Sequence, residues 1–375
     1  MDLTIQPQRL RHLLKRLIDI YSPSGKEEEV VDYLHGYLKR HGLSVMRQEV
    51  DEDRDNLIVM PAHGDIHVAL IGHLDTVAAH DLEDYGFDED GDRVTGLGAA
   101  DMKGGCAAMV EGFLTLWERY PQAAADGKVA LALVVGEEQD GDGAQRLVRE
   151  LHFPWAIIGE PTDLKPCLNH YGYLEIHLTT RGQRMHASLA NMGENPIKAM
   201  LHLLLKVSHY LERRRPEAVY NIRELFSSQA GFVVPDRCEA WLDNHLPPTA
   251  PVGEIMLELE DLLQRERQDH PHIDAALRFA TIHAGYEIPA KGPLVETLRT
   301  LYERLALRWE LLPFRSHSDA NLLWAAGVKP IIIGPGQLEQ AHAPGEWLSF
   351  QQVCHAAELY YRVLAEVVNH PSKWF

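Results

Sequence analysis

Apolar residues recur at three- and four-residue intervals near the start of the chain. Leu10, Leu13, Leu14, Leu17 and Ile18 predict a helix, Ser22-Pro23-Ser24-Gly25 interrupts it, and Val30, Val31, Leu34 and Leu38 predict a second helix that Gly42 stops. The pattern then changes to short continuous apolar runs, which predict strands over 56–60, 67–71, 128–135 and 155–158. Helical spacing over 104–120 and 144–151 separates the later runs. Strand and helix in alternation predict an α/β domain with a mostly parallel sheet.

From residue 172 the texture is different. Residues 173–180 alternate as a half-exposed strand does, 195–213 and 252–266 have helical spacing, and 231–234 and 238–242 are further strand candidates. This predicts a separate α+β unit inserted into the first. The α/β texture resumes with a helix over 294–305, an apolar strand over 330–333 and a closing helix. The expected organisation is therefore 1–171 and 288–375 as one catalytic domain, with 172–287 inserted between its two parts.

At 375 residues the chain is long enough for two domains. Its formal net charge of -19 excludes the cationic footprint that a nucleic-acid partner requires. Cys106, Cys167, Cys238 and Cys354 lie far apart without a CxxC pair, so reduced buried thiols are expected rather than disulfides or a zinc–thiolate centre. No run of about 18 apolar residues and no apolar leader stretch occurs, and a cytoplasmic protein without membrane association is expected.

Chemistry concentrates in six short segments: Gly72-His73-Leu74-Asp75-Thr76, Gly96 to Gly105, Gly136-Glu137-Glu138, Gly159-Glu160-Pro161-Thr162, Arg315 to Ala320, and Ala341-His342-Ala343-Pro344. His73, Glu137, Glu138 and Glu160 fall at the ends of apolar strands, where open α/β sheets collect ligands. His73 and Asp75 are two apart on a strand end and share a face. A metal-bound imidazole wants its second nitrogen held, often by a carboxylate; the alternative is a polar surface loop. Asp101 lies among glycines and alanines that allow close approach, so its carboxylate can bridge two metal ions; the competing reading is a helix N-cap. Glu137 and Glu138 repel one another unless a positive charge sits beside them. One then serves as a ligand and the other as a base for water activated by metal ions roughly 3.5–4 Å apart.

Taken together, these segments resemble the M20 family of metallopeptidases and amidohydrolases, and in particular the branch of acetylornithine deacetylases, succinyl-diaminopimelate desuccinylases and carboxypeptidase-like enzymes of amino-acid metabolism. The resemblance implies two zinc ions per subunit, with Co2+ or Mn2+ as substitutes. Asp101 would bridge them, His73 and Glu160 would complete one site, and Glu138 and His342 the other. Asp75 would orient His73, Glu137 would be the general acid/base, and the Asp101–Met102 peptide would be cis. The inserted unit is similar to the family's lid and dimerisation domain through Arg181-Gly182-Gln183-Arg184-Met185-His186-Ala187-Ser188 and Gly193-Glu194-Asn195-Pro196. There His186 would reach a neighbouring subunit's site and stabilise the oxyanion, which implies a homodimer; its other reading is a helix-start histidine packed on Met185.

Two departures fall on the substrate side. Where relatives carry Asp-x-Arg-x-x-Pro, this chain has Asp243-Asn244-His245-Leu246-Pro247-Pro248, and where they carry Gly-Thr-Ser-Asp-Ala it has Ser316-His317-Ser318-Asp319-Ala320. Asn244, His245, Ser316, His317 and Ser318 are accordingly the candidate substrate-binding residues. The expected activity is hydrolysis of an N-acyl amino acid, with a di- or carboxypeptidase acting on a short peptide as the alternative. A silent scaffold would lack a ligand or Glu137, and a serine esterase would need a GxSxG elbow, which is absent.

Overall fold

The computed structural model describes residues 3–61, 65–79, 85–122, 127–228 and 231–374. They form two compact units: Met1–Leu168 with Ile288–Phe314 and Ser318–Phe375, and a smaller one of Asn169–Glu287 with Arg315–His317.

The larger unit opens with α1 (Pro7–Asp19), α2 (Glu28–Arg40), β1 (Met46–Asp51), β2 (Arg54–Val59) and β3 (Val68–His73). It continues through α3 (Gly104–Arg119), β4 (Val129–Val134), α4 (Asp142–Glu150) and β5 (Trp155–Ile158). The smaller unit supplies β6 (Gly172–Arg181), α5 (Pro196–Arg214), β7 (Val219–Ser227), β8 (Arg237–Leu246), α6 (Val252–Asp269) and β9 (Asp274–His283). The chain then returns to the larger unit as α7 (Pro293–Arg304), α8 (Asp319–Ala325), β10 (Lys329–Ile332) and α9 (Phe350–Asn369).

In the larger unit six strands lie in the order β1-β2-β4-β3-β5-β10. The pairs β4–β3, β3–β5 and β5–β10 are parallel; β1 and β2 join on one edge as antiparallel strands. Every residue of β3, β4 and β5 is buried, which is why these strands read as unbroken apolar runs rather than alternating ones. Helix α3 is buried along Gly104–Leu116, and its continuous apolar character follows from that position.

The smaller unit has an antiparallel sheet ordered β7-β8-β6-β9. Leu174, Ile176, Leu178, Ala240 and Leu242 form its core with Met200, Leu204 and Val207 of α5 and Ile255 and Leu259 of α6. Side chains alternate across a strand, so Tyr173, Asp243 and His245 belong to the face opposite that core. The alternating pattern over 173–180 and the helical spacing of α5 and α6 are the sequence record of this one-sided packing. Strands β1, β7 and β9, absent from the sequence expectation, are edge strands, and the exposed positions along β7 break any alternation.

Candidate active site

The ends of β3, β4 and β5 bring His73, Glu137, Glu138 and Glu160 together, the segment before α3 adds Asp101, and the loop before α9 adds His342. His73 Nε2 lies 3.2 Å from Asp101 Oδ1 and 3.8 Å from both Glu137 Oε2 and Glu160 Oε1. On the other side of the same aspartate, His342 Nε2 is 3.5 Å from Asp101 Oδ2 and 3.0 Å from Glu138 Oε1. Asp101 thus turns one oxygen to each imidazole; His73 also faces Glu137 and Glu160, and His342 faces Glu138. Ligand atoms of His73, Asp101 and Glu138 all lie within 4.8 Å of one another.

Asp75 is fully buried and ties the strand ends together. Its Oδ1 accepts from the Glu137 backbone N–H at 3.1 Å; its Oδ2 accepts from the Glu138 N–H at 3.0 Å and the Ser24 hydroxyl at 2.7 Å. The same carboxylate stands 3.6 Å from His73 Nδ1. Glu137 and Glu138 follow Gly136, whose φ is +76° and where a side chain would collide with Asp142 Oδ1, so only glycine admits the turn that presents both glutamates. His342 has a φ of +58°, a left-handed conformation that is uncommon outside glycine and recurs at functional sites.

Asp101 is not an N-cap: the N-cap position of α3 is Lys103, and no side chain caps the helix there. The Asp101–Met102 peptide is cis. The loop is instead held by Glu346, which sequence reasoning did not single out as functional. Its Oε1 accepts from Ala100 N (2.7 Å) and Asp101 N (2.9 Å), and its Oε2 from Gly98 N (2.9 Å). Burial pushes the Glu346 carboxyl up to about 7, against the lowering effect of these N–H groups.

Buried carboxyl groups crowd this cluster, and Glu137, Glu138 and Glu160 are all raised above the ordinary carboxyl value. Burial and the charge of Asp101 push Glu160 up to about 8. Burial also raises Glu137, with Glu160, Asp319 and Glu138 adding to the effect. The hydrogen bond to Glu138 lifts His342 to about 9. Burial alone would lower His73, but the surrounding carboxylates hold it well above the ordinary imidazole value. Two imidazoles among buried carboxylates whose oxygens converge are a donor set for borderline divalent metals. The residues fit such a group, and His73, Asp101, Glu138, Glu160 and His342 are the ones that would hold it. Cys106 is no competing nucleophile, since its thiol donates to the His73 carbonyl at 3.0 Å and burial pushes it up to about 12.

The remaining candidates are Ser318, at the start of α8, and residues of the smaller unit. Ser318 caps α8 by accepting from Ala320 N–H at 3.2 Å, and Ser316 is half-buried beside it in sequence. In the smaller unit, His317 Nε2 lies 2.7 Å from His283 Nδ1, and Tyr173 packs against both His317 and His245 at ring distances of 5.2 and 5.4 Å. Asn244 points to the other face of its strand from His245, and its amide donates to the Leu174 carbonyl at 3.0 Å. It is therefore tied to the sheet rather than to the histidine face. His186 is exposed and begins a short 3-10 turn, with its Nδ1 accepting from Ser188 N–H at 3.2 Å.

Buried carboxylates with two imidazoles, His73 buried and His342 exposed, arranged about one aspartate define the class as a metal-dependent hydrolase. The sequence model of peptidase family M20/M25/M40 matches residues 69–366, and the chain belongs to that family, whose members hydrolyse amide and peptide bonds. It is 27% identical over 94% of its length to a peptidase M20 domain-containing protein of Schizosaccharomyces pombe, of which it covers 83%. It is 28% identical to acetylornithine deacetylase of Edwardsiella ictaluri, covering 92% of this chain and 91% of the relative. Its fold is similar to that of a tripeptidase from Staphylococcus aureus, with a TM-score of 0.82, 20% identity and coverage of 98% and 100% of the two chains. The family resemblance, the α/β architecture and the hydrolase class expected from sequence are borne out. Among the described residues, no helix is long and apolar enough to cross a membrane.

Proposed function

We propose that this chain is a cytoplasmic di-zinc amidohydrolase that removes the acyl group from an N-acyl amino acid. The observation that carries the metal chemistry is the division of Asp101, with Oδ1 towards His73 and Oδ2 towards His342. The preference for an acyl amino acid is supported by the near full-length likeness to an acetylornithine deacetylase.

A divalent metal pair, when bound, polarises the scissile carbonyl and makes water acidic enough to supply a nucleophile near neutral pH. The protein's own groups do the rest. Asp75 holds the Glu137 and Glu138 backbone with its carboxylate, and its backbone carbonyl accepts from His73 Nδ1 at 3.0 Å, which fixes the direction in which His73 presents Nε2. Glu137 is the general base and then the general acid: its carboxylate takes a proton from the attacking water and returns it to the leaving nitrogen. Burial raises this carboxyl, which favours the proton-bearing form that it needs when it acts as the acid.

His186 is the oxyanion donor in this reading. Because the Ser188 N–H donates to its Nδ1, the neutral ring carries its proton on Nε2, the nitrogen left to donate to a developing negative charge. A homodimer through the smaller unit is supported by exposed Val219, Ile222, Leu225 and Phe226 on the edge strand β7 and by Leu201 and Leu205 on α5. Sedimentation as a monomer at micromolar concentration would count against that pairing.

Incubating the zinc-loaded protein with Nα-acetyl and Nα-succinyl amino acids and with dipeptides, followed by mass spectrometry, tests the assignment. Release of free amino acids from the acyl substrates alone, lost in Glu137→Ala, is expected. Cleavage of dipeptides alone would move the protein to the peptidase reading, towards which the tripeptidase-like fold points.

A further inference from the structure

A second group of metal-ligand residues lies wholly in the smaller unit, apart from the donors already described, which all belong to the larger one. Glu266 lies in the last turn of α6, and His270, four positions on, is the residue that directly follows the helix. The His270 N–H donates to the Glu266 carbonyl at 2.9 Å, so the backbone carrying these two side chains is fixed. From the neighbouring helix α5, His202 brings its Nε2 to 2.7 Å from Glu266 Oε2. His270 Nε2 approaches the same oxygen at 3.8 Å, and ligand atoms of all three residues lie within 4.8 Å of one another.

The two oxygens of Glu266 have different neighbours. Oε1 is 2.8 Å from Lys206 Nζ, whereas Oε2 faces only the two imidazoles among these groups. Lysine therefore anchors the carboxylate from behind without standing between the donors. That is the arrangement in which an outer partner orients a metal-ligating carboxylate. Glu266 is largely buried, while the two histidines are partly open to solvent, so an ion can enter and water can complete its coordination. Two imidazoles and one carboxylate suit Zn2+, Ni2+ or Cu2+ and do not suit Mg2+ or Ca2+, which prefer oxygen ligands throughout.

We propose that His202, Glu266 and His270 form an additional divalent transition-metal site that clasps α5 to the end of α6. The site makes no demand on the substrate and does not depend on the activity assigned above. Its occupancy ties together two helices whose other faces already pack on the sheet, so bound metal raises the stability of the smaller unit.

The test is equilibrium dialysis of the full chain against Zn2+ or Ni2+ near neutral pH, with metal counted by mass spectrometry. Wild type is compared with the double variant His202→Ala/His270→Ala and, separately, with His73→Ala/Asp101→Ala. The His202/His270 variant is expected to hold one ion fewer than wild type, and the same one-ion difference is expected when it is combined with the His73/Asp101 pair. Zinc should raise the melting temperature of the His73→Ala/Asp101→Ala protein, and this shift should vanish when His202 and His270 are also replaced. Both histidines are partly exposed, so the fold is expected to survive; the milder His270→Gln should show the same one-ion loss with an unchanged far-UV spectrum. Equal metal counts in wild type and the His202/His270 variant, or a lost ion that is already missing from the His73/Asp101 variant, would overturn the proposal.

Discussion

Acid should weaken the smaller unit through His170, and the size of the effect follows from where that ring sits. His170 is fully buried, stacks on Tyr286 at 5.4 Å, and donates from Nδ1 to the Tyr171 carbonyl at 2.6 Å. Burial pulls its pKa from the ordinary 6.5 down to about 4; the Tyr171 bond pulls the other way, and nearby His283 and His245 add to the depression. Between those two values the unfolded chain binds a proton that the folded one refuses. The contribution is therefore complete above the unfolded value and is lost as pH falls towards the folded one, at about 1.4 kcal/mol per pH unit. Relative to pH 7.5, the loss from this one ring is about 2 kcal/mol at pH 5 and about 3 kcal/mol at pH 4.

The comparison is with His170→Asn, whose side-chain amide can still donate to the same carbonyl but does not titrate. Both proteins would be stripped of metal with a chelator, because metal binding carries its own pH dependence. Urea unfolding would be followed by far-UV circular dichroism at pH 7.5, 6 and 5. The variant starts lower because it leaves a cavity, and groups elsewhere titrate in both proteins. The stability gap between wild type and variant should nevertheless narrow by about 2 kcal/mol from pH 7.5 to 5. A gap that stays constant across that range would show that His170 is not held neutral by burial, and the reasoning would fail.

Other substitutions address the candidate active site. Glu137→Gln should lower kcat by about 10²–10⁴ with metal content unchanged, measured by steady-state kinetics and elemental analysis. Asp75→Asn, which replaces an acceptor of three hydrogen bonds, should weaken metal binding by about 10–100-fold, read by competition with a chromogenic chelator. Glu346→Ala leaves the N–H groups of Gly98, Ala100 and Asp101 without their acceptor and should cost about 2–4 kcal/mol, visible as a lower melting temperature together with reduced metal content. Gly105→Ala would drive a methyl group into the Gly159 carbonyl, 2.2 Å from the ideal Cβ position, and should destabilise the protein by about 1–3 kcal/mol in urea unfolding.

What could be read from sequence follows the physics of burial. Strands β3 and β5 are sealed on both faces, so they appear as uninterrupted apolar runs, and the polar residue that ends each run, His73 or Glu160, stands out against them. Edge strands β1 and β7 have no such signature because much of each faces outwards. The role of Glu346 was invisible for another reason: it acts on Asp101, 245 positions away, and no local pattern encodes a contact of that separation. Asn244 and His245 show the limit of reading by proximity in sequence. Neighbours on a strand point to opposite faces, and here one bonds to the sheet backbone while the other joins the aromatic cluster with Tyr173.

The grip of Glu346 on the Asp101 loop bears on how the protein is made. A ribosome adds roughly 5–20 residues per second, so the 245 positions between donor and acceptor correspond to about 10–50 s of synthesis. Strand β10, which pairs in parallel with β5, also emerges late. During that interval Asp101, Glu137, Glu138 and Glu160 have left the ribosome, but the segment that secures their loop has not. A nascent chain in this state offers a cluster of carboxylates in no fixed geometry, open to any abundant divalent ion. On the metal-site reading proposed above, selective loading belongs after translation, once Glu346 has closed over the backbone of Gly98, Ala100 and Asp101.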